Sequence, residues 1–149
     1  MVNICHENSH ELQGSEAIRN YIFGGRGVVT LLSPTGIHHT YIFKKPDNKD
    51  QFPDDVYFVY ALHTCDKLFY VGMIENCKFR LTRSSRFLND TDIVKGARYI
   101  MRMAFTSNMH TSMKLYHEGI CSVCGRPLTS PKSLEIGIGP RCRRRLDDR

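Results

Sequence analysis

His117, Cys121, Cys124 and Cys142 are the residues of this chain whose types and spacing could hold a transition metal. Cys121 and Cys124 have the CxxC spacing of a zinc knuckle, and Gly125 directly after them tolerates the positive φ of a chain folded tightly round a metal. Cys142 follows Gly139-Pro140-Arg141, with Pro140 suited to the first turn of a helix. Unpaired amides at a helix N-terminus favour a thiolate there. Tetrahedral zinc needs a fourth donor, and His117 stands four positions before Cys121. The expectation is a closed, structural Zn2+ site. The same cysteines would also suit a buried cluster, a redox pair or a catalytic metal. No βαβ pattern surrounds the CxxC, as a thioredoxin-like pair requires, and a closed four-donor set leaves no open position for catalysis. His110 is the alternative histidine donor; the closer spacing puts His117 first.

The second chemical feature is positive charge. The formal net charge is +6, and the stretch from Ile120 to Arg149 holds seven Lys/Arg against three acidic residues, a net of +4. Arg126, Arg141, Arg143, Arg144 and Arg145 lie there, the last four flanking or following Cys142. A second basic region contains Lys78, Arg80, Arg83, Arg86, Lys95, Arg98 and Arg102 against Asp90 and Asp92, with Phe79 and Phe87 interleaved. Basic side chains attract phosphates and exposed rings stack bases, so DNA or RNA is the expected partner. A solvated charged face, or docking onto an acidic host or phage protein, fits the same composition, and core packing fits the two phenylalanines.

The run from His117 to Arg126 reproduces His-x-Gly-x-Cys-x-x-Cys-Gly-Arg, and Pro127-Leu128-Thr129, Pro131-Lys132-Ser133-Leu134 and Gly137-Ile138-Gly139-Pro140-x-Cys142 follow it. This segment resembles the C-terminal zinc segment of an uncharacterised family widespread in bacteriophages and their hosts. The resemblance implies zinc and a phage origin, and no activity. Phe58-Val59-Tyr60, Phe69-Tyr70-Val71-Gly72 and Arg80 loosely resemble the two-strand signature of GIY-YIG nucleases. There a tyrosine and an arginine work with a metal-binding glutamate, roles that Tyr60, Tyr70 and Arg80 would match. The first motif lacks its glycine, however, and no glutamate lies between Glu75 and Glu118. An alternating aromatic hairpin explains the same residues without chemistry, so the expectation is a binding module, not an enzyme.

The elements that must position these groups read as α+β. Ser15 is placed to cap a helix over 16–23, with Ala17, Ile18, Tyr21 and Ile22 as its apolar stripe, and Gly24-Gly25 stop it. That glycine run follows a helix and lacks Gly-Lys-Ser/Thr, so it is no phosphate loop. Strands are expected over 28–33 and 37–44 about Pro34-Thr35-Gly36, and over 56–63 and 67–74 about Thr64-Cys65-Asp66. Asn89-Asp90-Thr91-Asp92 opens a second helix whose Ile93, Val94, Ala97, Ile100, Met101, Ala104 and Phe105 recur at helical spacing. A final strand, 114–117, leads into the metal segment. The sum is a mostly antiparallel sheet of four or five strands with one or two packed helices and a treble-clef-like zinc module. Residues 1–14 read as a flexible tail, with Cys5, His6 and His10 as incidental donors, 15–113 as the α+β domain and 114–149 as the zinc module with its basic helix. His38 and His39, adjacent in a strand, point to opposite faces and do not serve one metal.

At 149 residues and 41% hydrophobic content, the chain holds about one domain's core. No apolar run approaches the roughly 18 residues of a membrane span, and no basic-then-apolar leader opens it. The expected location is therefore the cytoplasm, and a membrane is not an expected partner. Six cysteines, at least three with metal-ligand spacing, suit a reducing compartment; Cys5, Cys65 and Cys77 need no function beyond packing.

Overall fold

The computed structural model describes residues 10–47, 51–63, 67–107, 111–117, 121 and 123. In chain order these form β1 (His10–Glu11), α1 (Ser15–Ile22), β2 (Arg26–Leu32), β3 (His38–Lys44), β4 (Tyr57–His63), β5 (Lys67–Glu75), β6 (Lys78–Arg80), α2 (Asp92–Phe105) and β7 (Lys114–His117). The strands make one antiparallel sheet in the order β1-β7-β2-β3-β4-β5-β6. The architecture is α+β, with seven strands rather than four or five.

Strand alternation divides the sheet into two faces. Val29 and Leu31 of β2, Tyr41 and Phe43 of β3, Val59 and Ala61 of β4 and Leu115 of β7 point to one side and are buried. They meet Ile18, Tyr21 and Ile22 of α1 and Val94, Ala97, Ile100, Met101, Met103 and Ala104 of α2. Met101 and Met103 are core, as expected; Phe105, placed on the same stripe, is 44% exposed. Gly27 lets β2 run beneath α1: a Cβ there would lie 2.8 Å from the Tyr21 carbonyl oxygen.

Both ends of α2 are met by side chains. Thr91 caps α2, its Oγ1 accepting from the Val94 amide at 3.4 Å and donating to the Leu88 carbonyl at 2.8 Å. Arg19 Nη1 donates to the Ala104 carbonyl at 2.7 Å, covering an orphan acceptor of the last turn. Ser15 is not a cap: Gly14 holds that position at φ 91, with no side-chain bond, and Ser15 is the first helical residue.

The N-terminal expectation needs correcting for residues 10–14. His10 and Glu11 pair with His117 and Tyr116, the Leu12 amide donates to the Leu115 carbonyl at 2.8 Å, and Leu12 is buried. A backbone paired to β7 and followed by an apolar anchor does not fray. The boundary placed at 114 also falls inside the sheet, because β7 lies between β1 and β2.

One irregularity decides what the opposite face displays. Val59 pairs with Gly72 and Tyr60 with Tyr70, so Val71 is an extra residue, a β-bulge. Without it Tyr70 would stand opposite Ala61, facing the helices. With it Tyr60 and Tyr70 sit side by side on the face turned away from α1 and α2, while Val71 stays fully buried.

Candidate functional site

Two groups of chemically capable residues emerge, at opposite ends of the sheet. At the β7 end, His117 is the last strand residue and points to the helix side, two positions after the buried Leu115. It is fully buried, its ring stacked on Tyr21 of α1 at 5.0 Å and on His10 of β1 at 5.5 Å. Cys121 is also fully buried, and the Val123 amide donates to its Sγ at 3.4 Å. An amide two residues on, turned back onto the sulfur, is the contact a thiolate recruits when the chain wraps round it. Cys124, Cys142, His110 and the arginines Arg126, Arg141, Arg143, Arg144 and Arg145 lie outside the described residues, as do Cys5, His6, Cys65 and the expected turn at 64–66. His10, read from sequence as an incidental donor, stands against His117. Only the β1–β7 register makes them neighbours, and two residues of strand carry no periodic signal.

At the other end, β6 and the segment after it gather Lys78, Arg80, Arg83 and Arg86, all exposed. A tight turn at Asn76 and Cys77, both with positive φ, folds β6 onto β5, and the Asn76 amide is held by Asp55 Oδ2 at 2.9 Å. Gly72 permits the close approach, since a Cβ there would lie 2.7 Å from the Arg80 carbonyl oxygen and 2.8 Å from the Phe79 ring. Beyond β6 the Arg86 amide donates to the Tyr70 carbonyl at 3.0 Å and Thr82 Oγ1 donates to the Tyr70 hydroxyl at 3.1 Å. This holds the arginine-bearing segment along the outer edge of β5. Arg80 and Glu75 approach to 3.8 Å with both side chains about half exposed, a pair worth little.

Phe79 and Phe87, candidates for base stacking, serve the core. Phe79 packs against the buried cluster beneath the Arg98 guanidinium, 5.3 Å from its ring centroid. Phe87 packs against the same cluster, edge to face with Phe69. Arg98 is further held by Asn89 Oδ1 at 2.8 Å, and with the exposed Lys95 and Arg102 it forms the outer face of α2.

The rings that sequence reading did not assign to a surface are Phe58, Tyr60 and Tyr70. Tyr70 stands edge to face between Phe58 at 6.0 Å and Tyr60 at 5.8 Å. Arg80 shares their face, since it pairs with Met73, which pairs with Phe58. Tyr60, Tyr70 and Arg80, the nuclease-like trio, are thus on one face. No group of three metal-ligating side chains occurs among the described residues. The alternation of 58, 60 and 62 was the available signal, but the bulge that aligns Tyr70 with it was not.

A third feature is an open cleft of about 350 Å³ between the β2–β3 turn and α2, lined in part by Ile37, His39, Asp92, Lys95 and Tyr99. His39 Nε2 is buried there with no hydrogen-bond partner among the described residues. Burial lowers the His39 pKa, Asp92 opposing and His38 adding to the shift. Tyr41 beneath it donates to the Ile93 carbonyl at 2.7 Å, and burial, with Asp92 nearby, raises its pKa far enough to keep it a donor.

Residues 116–147 match the model of a family of unknown function, DUF6011. The match begins within β7 and covers every expected metal ligand. No curated protein and no solved structure matches the chain. No helix among the described residues is long and apolar enough to cross a membrane.

Proposed function

We propose that this chain is a small nucleic-acid-binding accessory protein of phage type, acting in the cytoplasm, whose C-terminal segment folds round a structural Zn2+. The observation that carries the binding reading is the gathering of Lys78, Arg80, Arg83 and Arg86 along one edge, where sequence gave only a scattered basic region. Four cations on a hydrogen-bonded edge offer phosphate contacts of fixed spacing, whereas the same charges on a mobile loop would not. The arginines Arg126, Arg141, Arg143, Arg144 and Arg145 extend the basic character beyond the sheet.

The zinc reading is supported by the chemistry of His117 and Cys121. A fully buried imidazole at a strand end and a buried sulfur accepting an amide suit a metal that compensates both for lost water. His117, Cys121, Cys124 and Cys142 would complete the tetrahedron. Zinc would tie the C-terminal segment to β7, supplying folding free energy that so polar a stretch lacks.

The test joins both parts. The purified chain should contain one equivalent of zinc, and Cys124→Ser should lose it and lower the melting temperature. Reversal of Lys78, Arg80, Arg83 and Arg86 to Glu should weaken binding to a labelled oligonucleotide by at least about 100-fold, since each phosphate contact adds to affinity. A folded, zinc-replete Cys124→Ser protein would refute the site. Unchanged binding after charge reversal would remove this edge from the interface, and no binding at low salt would leave a host or phage protein as the partner.

A further inference from the structure

We infer that the β4–β6 half of the sheet face turned away from α1 and α2 is a stacking platform for single-stranded nucleic acid, built from Phe58, Tyr60 and Tyr70 with the basic edge as its rim. The inference rests on the nucleic-acid reading above and adds the form of strand recognised and the face that recognises it.

The helix-facing side needs its aromatic residues for the core; the other side has no such demand. Register places Tyr60 opposite both Ile42 and Tyr70, Phe58 opposite Lys44 and Met73, and Leu62 opposite Leu68, all on the side away from α1 and α2. Leu62 and Leu68 are 44% and 48% exposed, and the three rings between them and the basic edge are half-buried. Toward β7 the same face is interrupted by Thr30, only 4% exposed and bonded to Thr40. A contiguous, partly exposed aromatic patch on an antiparallel sheet, flanked at Phe58 by the Phe52 ring, calls for a partner.

Charge selects the partner. Among the described strand residues of β3 to β6 on this face, Glu75 is the one acidic side chain, against Lys44, Lys78 and Arg80, with Arg83 and Arg86 just beyond. The two ion pairs here, Lys44–Asp47 and Arg80–Glu75, are solvent-exposed and leave the cations available to phosphate. Aromatic rings and cations at one site are complementary to bases and phosphates together. In a duplex the base faces are stacked on each other, so only an unpaired strand can use the rings. The bulge at Val71 is the structural device: it brings Tyr70 to the face where Tyr60 and Phe58 already stand, and the Tyr70 main chain and hydroxyl anchor the arginine segment.

The chain contains seven tyrosines, two of them on this surface, and no tryptophan, so the part of the tyrosine quenching that Tyr60→Leu removes reports on it. Full-length protein is titrated with oligo-dT, with an abasic strand of equal length and charge, and with duplex of the same length. Oligo-dT should bind at least about tenfold tighter than the abasic strand, as loss of one stacked base implies. It should also quench tyrosine emission where the abasic strand does not. Tyr60→Leu and Phe58→Leu should each remove most of that preference while keeping the salt dependence. Equal affinity for oligo-dT and abasic strand, or duplex bound as tightly as single strand, overturns the platform. If the Glu reversals still abolish such binding, nucleic-acid binding stands without it. Absence of any binding at low salt overturns both. A chain that sediments as a dimer, splits on Tyr60→Lys and binds no strand would give the face to a second copy of itself.

Discussion

Gly96 lies where α2 presses hardest on the sheet. A Cβ there would overlap the Tyr41 hydroxyl and lie 3.5 Å from the Leu31 side chain. Gly96→Ala should raise helix propensity yet destabilise the chain by about 1–3 kcal/mol, because relief requires breaking the Tyr41–Ile93 bond. Urea denaturation measures this; a more stable variant would show that the contact relaxes freely. His39 provides a pH signature. Its pKa is lowered on folding, so the unfolded chain binds more protons there. The stability this contributes is fully present above about pH 6.5 and is lost as pH falls through the folded value. His39→Leu should flatten the loss of stability between about pH 7 and 5 relative to the parent, followed by thermal melts across that range.

At the scale of elements, β1 shows how a two-residue strand can matter. Leu12 follows it into the core beside Ile18 and Leu115, so Leu12→Ala should cost about 2–5 kcal/mol in urea denaturation. A change within a few tenths would return this segment to the status of a tail. The long elements were legible from sequence because each carries its own period: α2 repeats at helical spacing and β2–β5 alternate about recognisable turns. β1 and β6 were not, being two and three residues long and existing only through their partners. Register was equally hidden, since the bulge at Val71 is decided by how β4, β5 and the core settle together. That single slip separates an alternating aromatic hairpin, which sequence revealed, from a three-ring surface, which it did not. Phe79 and Phe87 went the other way. Interleaving with arginines suggested exposure, but β6 pairing turns Phe79 inward and Phe69 receives Phe87.

Among the described residues, the buried histidine and cysteine and the exposed basic edge occupy separate ends of one sheet. The histidine and cysteine lie at the β7 end and the aromatic and basic groups at the β5–β6 edge, with β2, β3 and β4 between. Metal removal should therefore loosen the C-terminal segment while leaving the β4–β6 half assembled. In the chelated protein, amide hydrogen exchange should accelerate at β7 and beyond and stay slow in β4 and β5. Uniform acceleration would mean that the metal holds the entire fold.

The most direct measurement is the salt dependence of binding to a labelled single strand, followed by fluorescence anisotropy. If Lys78, Arg80, Arg83 and Arg86 each neutralise a phosphate, log affinity should fall linearly with log salt with a slope of about −3, shrinking toward zero as they are replaced. Binding that ignores salt, or no binding at the lowest ionic strength, would contradict the account.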